Sequence, residues 1–165
     1  MKTQAESTGS EVRELVQALQ HRYVDALDSK DMAGWLACFD QDGAYYVTGA
    51  DNEAAGLPIC LMMDDSYERL VDRVTYVTKV WPGSFEDYQT RHFVQPLHVE
   101  SHADGLYRVQ SNVAVFATDP RGRTSLFVAG RYEDLVRITG GAALFKERRV
   151  IMDTFATPGV VVYPL

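Results

Sequence analysis

The sequence predicts an α+β domain in which a curved antiparallel sheet wraps round helices from the N-terminal half. Two observations carry that prediction. The last sixty residues read as three long consecutive strands, Leu106 to Thr118, Arg123 to Ile138 and Ala143 to Ala156, joined by the turns Asp119 to Gly122 and Thr139 to Ala142. Strands of eleven or more residues exceed the usual five or six or so and suit a strongly curved sheet. Ahead of them, apolar residues recur at helical rather than alternating spacing, so helices come first and the strand meander afterwards.

Taken in order, residues 1–9 are polar and are expected to form a flexible N-terminus, leaving residues 10–165 as one domain. Ser10 or Thr8 suits a helix cap, and Thr8 with Glu11 has capping-box spacing. Val12, Leu15, Val16, Leu19, Tyr23, Ala26 and Leu27 then form one stripe. Asp31 suits the cap of a short second helix carrying Trp35, Leu36 and Phe39, and Ala44 to Gly49 is a short strand. Asp51 to Met63 shows no period and reads as a long loop. Asp64 or Asp65 is placed to cap a third helix with Tyr67, Leu70, Val71, Val74 and Val77 on its apolar face, ended by Trp81-Pro82-Gly83. Asp87 to Ser101 follows as a strand whose Pro96 calls for a bulge or an edge position. His102 to Gly105 turns into the long strands. A sheet closed over by helices leaves a cone, open to a ligand or plugged by side chains.

Composition narrows the function. A formal charge of −7 argues against nucleic acid, since phosphate binding needs a concentrated basic face. No apolar run nears the ~20 residues of a membrane span and no signal peptide is evident, so a cytoplasmic protein is expected. Cys38 and Cys60 are too few for a disulfide framework and read as reduced fillers. There is no HExxH, no GxGxxG after a strand and no phosphate loop. His92 and His98 fall on one strand face but too far apart to share a metal, and His98 and His102 flank a turn without a matching carboxylate cluster.

Two groups of residues remain as candidates. Tyr23, Asp25, Tyr45, Tyr46 and His92 would converge in the cone, where a buried tyrosine with a carboxylate or histidine can polarise a carbonyl or move a proton. The structural reading is favoured: Tyr23 belongs to the core stripe, Asp25 faces solvent, and only one of the adjacent tyrosines points inward. The second group is charged. If Thr139 to Ala142 is a hairpin turn, Glu133 and Asp134 lie across from Lys146 to Arg149. That pattern makes either a solvated outer face or a polar subunit interface, with Arg131, Arg148 and Arg149 reaching a partner's carboxylates.

The segments MDDSYERLVDRV (Met63 to Val74), TRHFV (Thr90 to Val94), YRVQSN (Tyr107 to Asn112), FVAGRYEDLVR (Phe127 to Arg137) and KERRVIMDT (Lys146 to Thr154) occur in an order and spacing that resemble the small (beta) subunit of Rieske-type aromatic-ring-hydroxylating dioxygenases. The resemblance implies a cystatin-like, nuclear-transport-factor-2-like cone. It implies no cofactor in this chain, with the Rieske iron–sulfur cluster and the mononuclear non-haem iron in a large alpha subunit. It further implies an α3β3 hetero-hexamer in which this chain is a non-catalytic, structural component. The tail VVVYPL and the short N-terminus point towards members acting on carboxylated aromatics such as benzoate, salicylate, anthranilate or terephthalate. Arg73, Arg91, His92, Arg131, Glu133, Arg148 and Arg149 are then the expected interface residues. The rival from another class is a stand-alone dehydratase or isomerase of the same fold using Tyr23, Tyr45 and His92. Asp51 to Met63 matches no pattern of the family.

Overall fold

The computed structural model describes residues 9–103 and 105–165. Helix α1 (Gly9–Asp28) presents Val12, Val16, Leu19, Tyr23, Ala26 and Leu27 to the interior, as the stripe requires. Ser10 lies inside this helix and bonds Glu14 rather than capping it, and Gly9 is already helical. Thr8 and the rest of the polar start fall outside the described residues. α1 ends in a Schellman motif: the Lys30 amide donates to the Leu27 carbonyl and the Asp31 amide to Ala26, with Lys30 at φ 60°. That reversal delivers Asp31 to the start of α2 (Met32–Leu36), where its carboxylate accepts from the Gly34 amide at 2.9 Å.

β1 (Phe39–Gly49) is longer than its aromatic segment suggested, because a bulge before Ala44 lets it resume pairing. The segment expected to be one long loop contains α3 (Ala50–Ala54) and β2 (Met62–Asp64). α4 (Tyr67–Thr75) is capped by Ser66, whose hydroxyl accepts from the Arg69 amide, and neither Asp64 nor Asp65 takes that place. A π-turn over Tyr76–Val80 closes the helical half.

β3 (Gln89–Ala103), β4 (Leu106–Thr118), β5 (Thr124–Thr139) and β6 (Ala142–Met152) follow as an antiparallel meander. The six strands form one sheet in the order β2-β1-β6-β5-β4-β3, and β1 joins β6 in parallel, which makes the sheet mixed at that seam. Gly140 and Gly141, both at positive φ, make the two-residue turn between β5 and β6. β3 is an edge strand with a register shift between Pro96 and His98, so the proline has both the bulge and the edge position.

Along β4 the buried positions are Val109, Ser111, Val113, Val115 and Ala117, the period of a sheet with one covered face. The concave face packs on α1, with Trp35, Phe39, Tyr45 and Phe145 filling the wide end through edge-to-face and tilted ring contacts. Where β5 meets β6 the strands approach so closely that a Cβ on Gly130 would sit 2.2 Å from the Ile151 carbonyl oxygen. Gly130→Ala is expected to cost about 1–3 kcal/mol through forced backbone movement, read as a lower urea midpoint at unchanged m-value.

Candidate functional site

The inside of the cone is built round a buried charge. Strand alternation on β6 points Phe145 inward, and a register shift opposite Leu135 and Val136 then brings Arg148, instead of Lys146 or Glu147, onto the same inner face. Arg148 has no exposed surface and forks onto Asp134, directly across on β5, with Nε–Oδ1 at 2.9 Å and Nη2–Oδ2 at 2.7 Å. Gln20 on α1 completes the group, accepting from Arg148 at 2.6 Å and donating to Asp134 at 3.2 Å. The guanidinium lies 4.0, 4.0 and 3.9 Å from the ring centres of Tyr23, Tyr132 and Phe145. Burial works against its charge, yet Asp134 overcomes burial and holds the Arg148 pKa above its ordinary range. Arg148 was expected at a subunit interface; full burial takes it out of any partner's reach.

The hydroxyls of Tyr23 and Tyr45, expected on chemical grounds as acid–base groups, meet the end of the chain. Tyr23 donates to the Leu165 carbonyl at 2.7 Å, and Tyr45 both donates to that oxygen at 3.2 Å and accepts from the Leu165 amide at 2.7 Å. Burial raises the pKa of Tyr23 and takes that of Tyr45 well above the ordinary phenol value, so both remain protonated donors. Asp25 faces solvent, and Tyr46 points to the outer face under Arg149, 5.1 Å from its ring centre.

His92 is not with them. Its ring, fully covered, has Nδ1 2.6 Å from Asp28 Oδ1, while its amide donates to Asp28 Oδ2 at 3.0 Å and the Thr90 hydroxyl to Oδ1 at 3.0 Å. This clamp ties the end of α1 to edge strand β3. His92 is thereby withdrawn both from a surface role and from the tyrosine pair. The bulge at Pro96 also puts His98 on the outer face, opposite to His92 and not beside it.

Outside the cone the remaining charges are displayed. Arg131 pairs with Glu133 at 2.9 Å, and Arg149 reaches Glu53 of α3 at 3.0 Å and Glu147 at 3.9 Å. Of these, Glu133, Glu147 and Arg149 border a groove of about 470 Å³ across the outer sheet face, together with His98, Glu100 and Arg108. The register Glu133 opposite Arg149 and Asp134 opposite Arg148 is one residue away from the one the hairpin turn alone dictates, because of the shift between Leu135 and Val136. Arg91 is exposed, whereas Arg73 is largely covered and clamps α4 to β2 through two bonds to Asp64 at 2.9 and 3.0 Å. Phe93 and Phe116 stack edge to face on the outside with Leu126 nearby in sequence register, and Leu57, Ile59, Leu61 and Met63 make a second exposed apolar stretch.

A family model described as "Ring hydroxylating beta subunit" matches residues 22–157. The chain belongs to that family. It is 29% identical over 147 residues to the anthranilate 1,2-dioxygenase small subunit of Burkholderia cepacia, covering 89% of this chain and 90% of that one. It is 26% identical over 150 residues to the beta 1 subunit of the terminal oxygenase component of terephthalate 1,2-dioxygenase from Comamonas sp., covering 91% and 96%. Among solved structures it is similar, at a TM-score of 0.82 and 24% identity, to the beta subunit attributed to an aromatic-ring-hydroxylating dioxygenase of Novosphingobium aromaticivorans, with 93% of this chain and 100% of that one covered. The cone is the cystatin-like fold. The sequence resemblance and the fold expected from it are thus borne out, and the chain is a beta subunit of the ring-hydroxylating dioxygenase type.

The described residues of this beta subunit do not fit a Rieske cluster or a mononuclear iron. Among the described residues no three His, Cys, Asp or Glu side chains come together in a way that could hold a metal ion. Cys38 is buried, with its thiol pKa pushed up by burial, and Cys60 is half-buried on the loop before β2. No helix among the described residues is long and apolar enough to cross a membrane.

Sequence reasoning missed three partners. Gln20 occupies a stripe position between Val16 and Tyr23, a placement legible from spacing but masked by its polarity. Asp28 and Leu165 gave no local signal. Removing Arg148 strands a buried carboxylate, so Arg148→Met is expected to cost about 3–5 kcal/mol in chemical denaturation, while Arg148→Met with Asp134→Leu recovers much of that loss. Asp28 supplies a pH handle. Burial pushes its carboxyl up, but the bonds from His92 and Thr90 outweigh burial and hold it below the usual carboxylate range. With the folded value below the unfolded one, the clamp contributes above about pH 4 and is lost as pH falls through the folded value. Asp28→Asn is therefore expected to lower stability at neutral pH and to flatten the acid limb of the profile, followed by circular dichroism.

Proposed function

We propose that this beta subunit is a non-catalytic scaffold of a multicomponent aromatic-ring hydroxylase, assembling with a large alpha subunit that carries the Rieske cluster and the mononuclear iron. The observation that carries this reading is the occupied cone. Where a cone-shaped enzyme would keep room for substrate, Arg148, Asp134, Gln20 and the aromatic residues fill the interior and the tail covers Tyr23 and Tyr45. Charge and apolar surface lie outside, where another subunit can meet them.

In this reading three beta subunits join three alpha subunits as α3β3, and the complex acts in the cytoplasm on a carboxylated aromatic, in keeping with the anthranilate and terephthalate enzymes named above. The anchors assigned to the subunit contacts are Arg91, Arg131, Glu133 and Arg149, with Arg73 supporting them from behind by fixing α4. Buried Arg148 and His92 serve by holding shape. The stand-alone dehydratase or isomerase reading lacks its constellation, because His92 is tied to Asp28 and both tyrosine hydroxyls are engaged.

The test is co-expression with a neighbouring reading frame that encodes CxH and CxxH motifs. The expected product is a complex several times the mass of this chain on size exclusion, with iron recovered only when the large subunit is present. A chain that stays alone and turns over a small carbonyl compound would overturn the proposal. Arg131→Glu and Arg149→Glu are expected to weaken association about tenfold or more, with salt dependence altered and the melting temperature of the isolated chain little changed.

A further inference from the structure

Every second residue from Leu57 to Met63 is a large aliphatic one left in water: Leu57, Ile59, Leu61 and Met63 are 49, 55, 57 and 48% exposed. A lone protein scatters such side chains singly, so four within seven residues mark a contact surface. The row is also held in place. The Leu57 amide donates to the Asn52 carbonyl at 2.9 Å, the Thr48 hydroxyl to the Ile59 carbonyl at 2.7 Å and the Leu61 amide to the Val47 carbonyl at 2.7 Å, while Met63 pairs with Tyr46 in the sheet. Little ordering is therefore left for a partner to impose. Met63 also borders a hollow of about 310 Å³ with Tyr76 and Trp81, whose rings lie tilted with centres 5.8 Å apart, and Tyr76 is itself half exposed.

Charge and position say what covers this row. From Asp51 to Arg73 six carboxylates stand against two arginines, Arg69 and Arg73, which leaves −4 in that stretch of a chain whose total is −7. Arg73 is occupied by Asp64, and Glu53 by Arg149, whereas Asp51, Glu68 and Asp72 are exposed and form no ion pair among the described residues. Asp72 lines the same hollow as Met63 and Tyr76. An apolar centre with an acidic rim is complementary to an apolar patch with a basic one. The row also continues the charged outer face, because Arg149, Tyr46 and Met63 stand side by side on β6, β1 and β2.

We propose that Leu57, Ile59, Leu61, Met63 and Tyr76 form the apolar centre of the contact with the large alpha subunit, and that the surface they meet is an apolar patch ringed by lysine and arginine. The inference rests on the scaffold reading and adds to it the place and the chemistry of the contact. A two-fold contact between copies of this chain would set one acidic rim against the other. Pairing of sheet edges is blunted as well, since β2 is three residues long and Pro58 ahead of it has no amide hydrogen to donate. Side chains, and not backbone ladders, therefore carry the contact.

The experiment titrates the full chain against the purified large subunit. Ile59→Asp with Leu61→Asp is expected to weaken the complex about a hundredfold, with the melting temperature of the isolated chain little changed because both side chains already stand in water. Asp72→Lys is expected to weaken binding severalfold, and Arg69→Glu, which deepens the acidic rim, to tighten it severalfold. A double variant that binds as well as the unmodified chain, or charge variants acting with the opposite signs, overturns this inference and leaves the scaffold reading standing. An unmodified chain that forms no complex overturns both. Should the double variant fail to fold, hydrogen exchange on the unmodified chain decides: exchange over residues 57–63 is expected to slow about tenfold in the complex. Unchanged exchange there overturns the inference, as does slowing that grows with the concentration of this chain alone, which would assign the row to a second copy.

Discussion

The fork between Arg148 and Asp134 is the constraint on which the rest of this molecule turns. Two charges taken wholly out of water are tolerated only when geometry and further hydrogen bonds compensate their desolvation. Here the compensation comes from distant parts of the chain: Gln20 from α1, Tyr23 from the same helix, Tyr132 from β5 and Phe145 from β6. Helix and sheet therefore have one relative position in which the pair is satisfied.

Fixing the inside in this way separates the duties of the two sheet faces. The concave face carries Val109, Val113, Val115, Val128 and Val150 against the helix. The convex face keeps Arg131, Glu133, Glu147 and Arg149 in partly exposed pairs that exchange partners at low cost, since such pairs contribute only about 0–1 kcal/mol each. A rigid body with an adaptable charged surface is what a scaffold requires.

Much of this architecture was legible in the sequence, and the misplaced strand residues share one cause. The stripe from Val12 to Leu27, the strand from Leu106 to Thr118 and the two-glycine hairpin all follow from period and turn chemistry that act locally. Bulges break that reading. The register shift before Arg148 moves it from the solvated face, where a Lys-Glu-Arg-Arg run would put it, to the core; the shift after Pro96 separates His98 from His92. A strand's inward and outward positions swap with one inserted residue, and the sequence alone does not say where the insertion falls. α3 and β2 were missed for a different reason: five and three residues are too few to show a period. The Asp28–His92 clamp and the docked Leu165 join residues 64 and more apart, beyond any local pattern.

The parallel seam between β1 and β6 also bears on how the polypeptide is made. β1 emerges from the ribosome early and pairs with a strand more than ninety residues later, Tyr45 against Arg148. Until that later strand has left the exit tunnel, Gln20 and Asp134 lack the cation that joins them, and the aromatic wall stands open. The core round this seam therefore closes only once β6 is available, which makes the pairing a non-local and slow one to form.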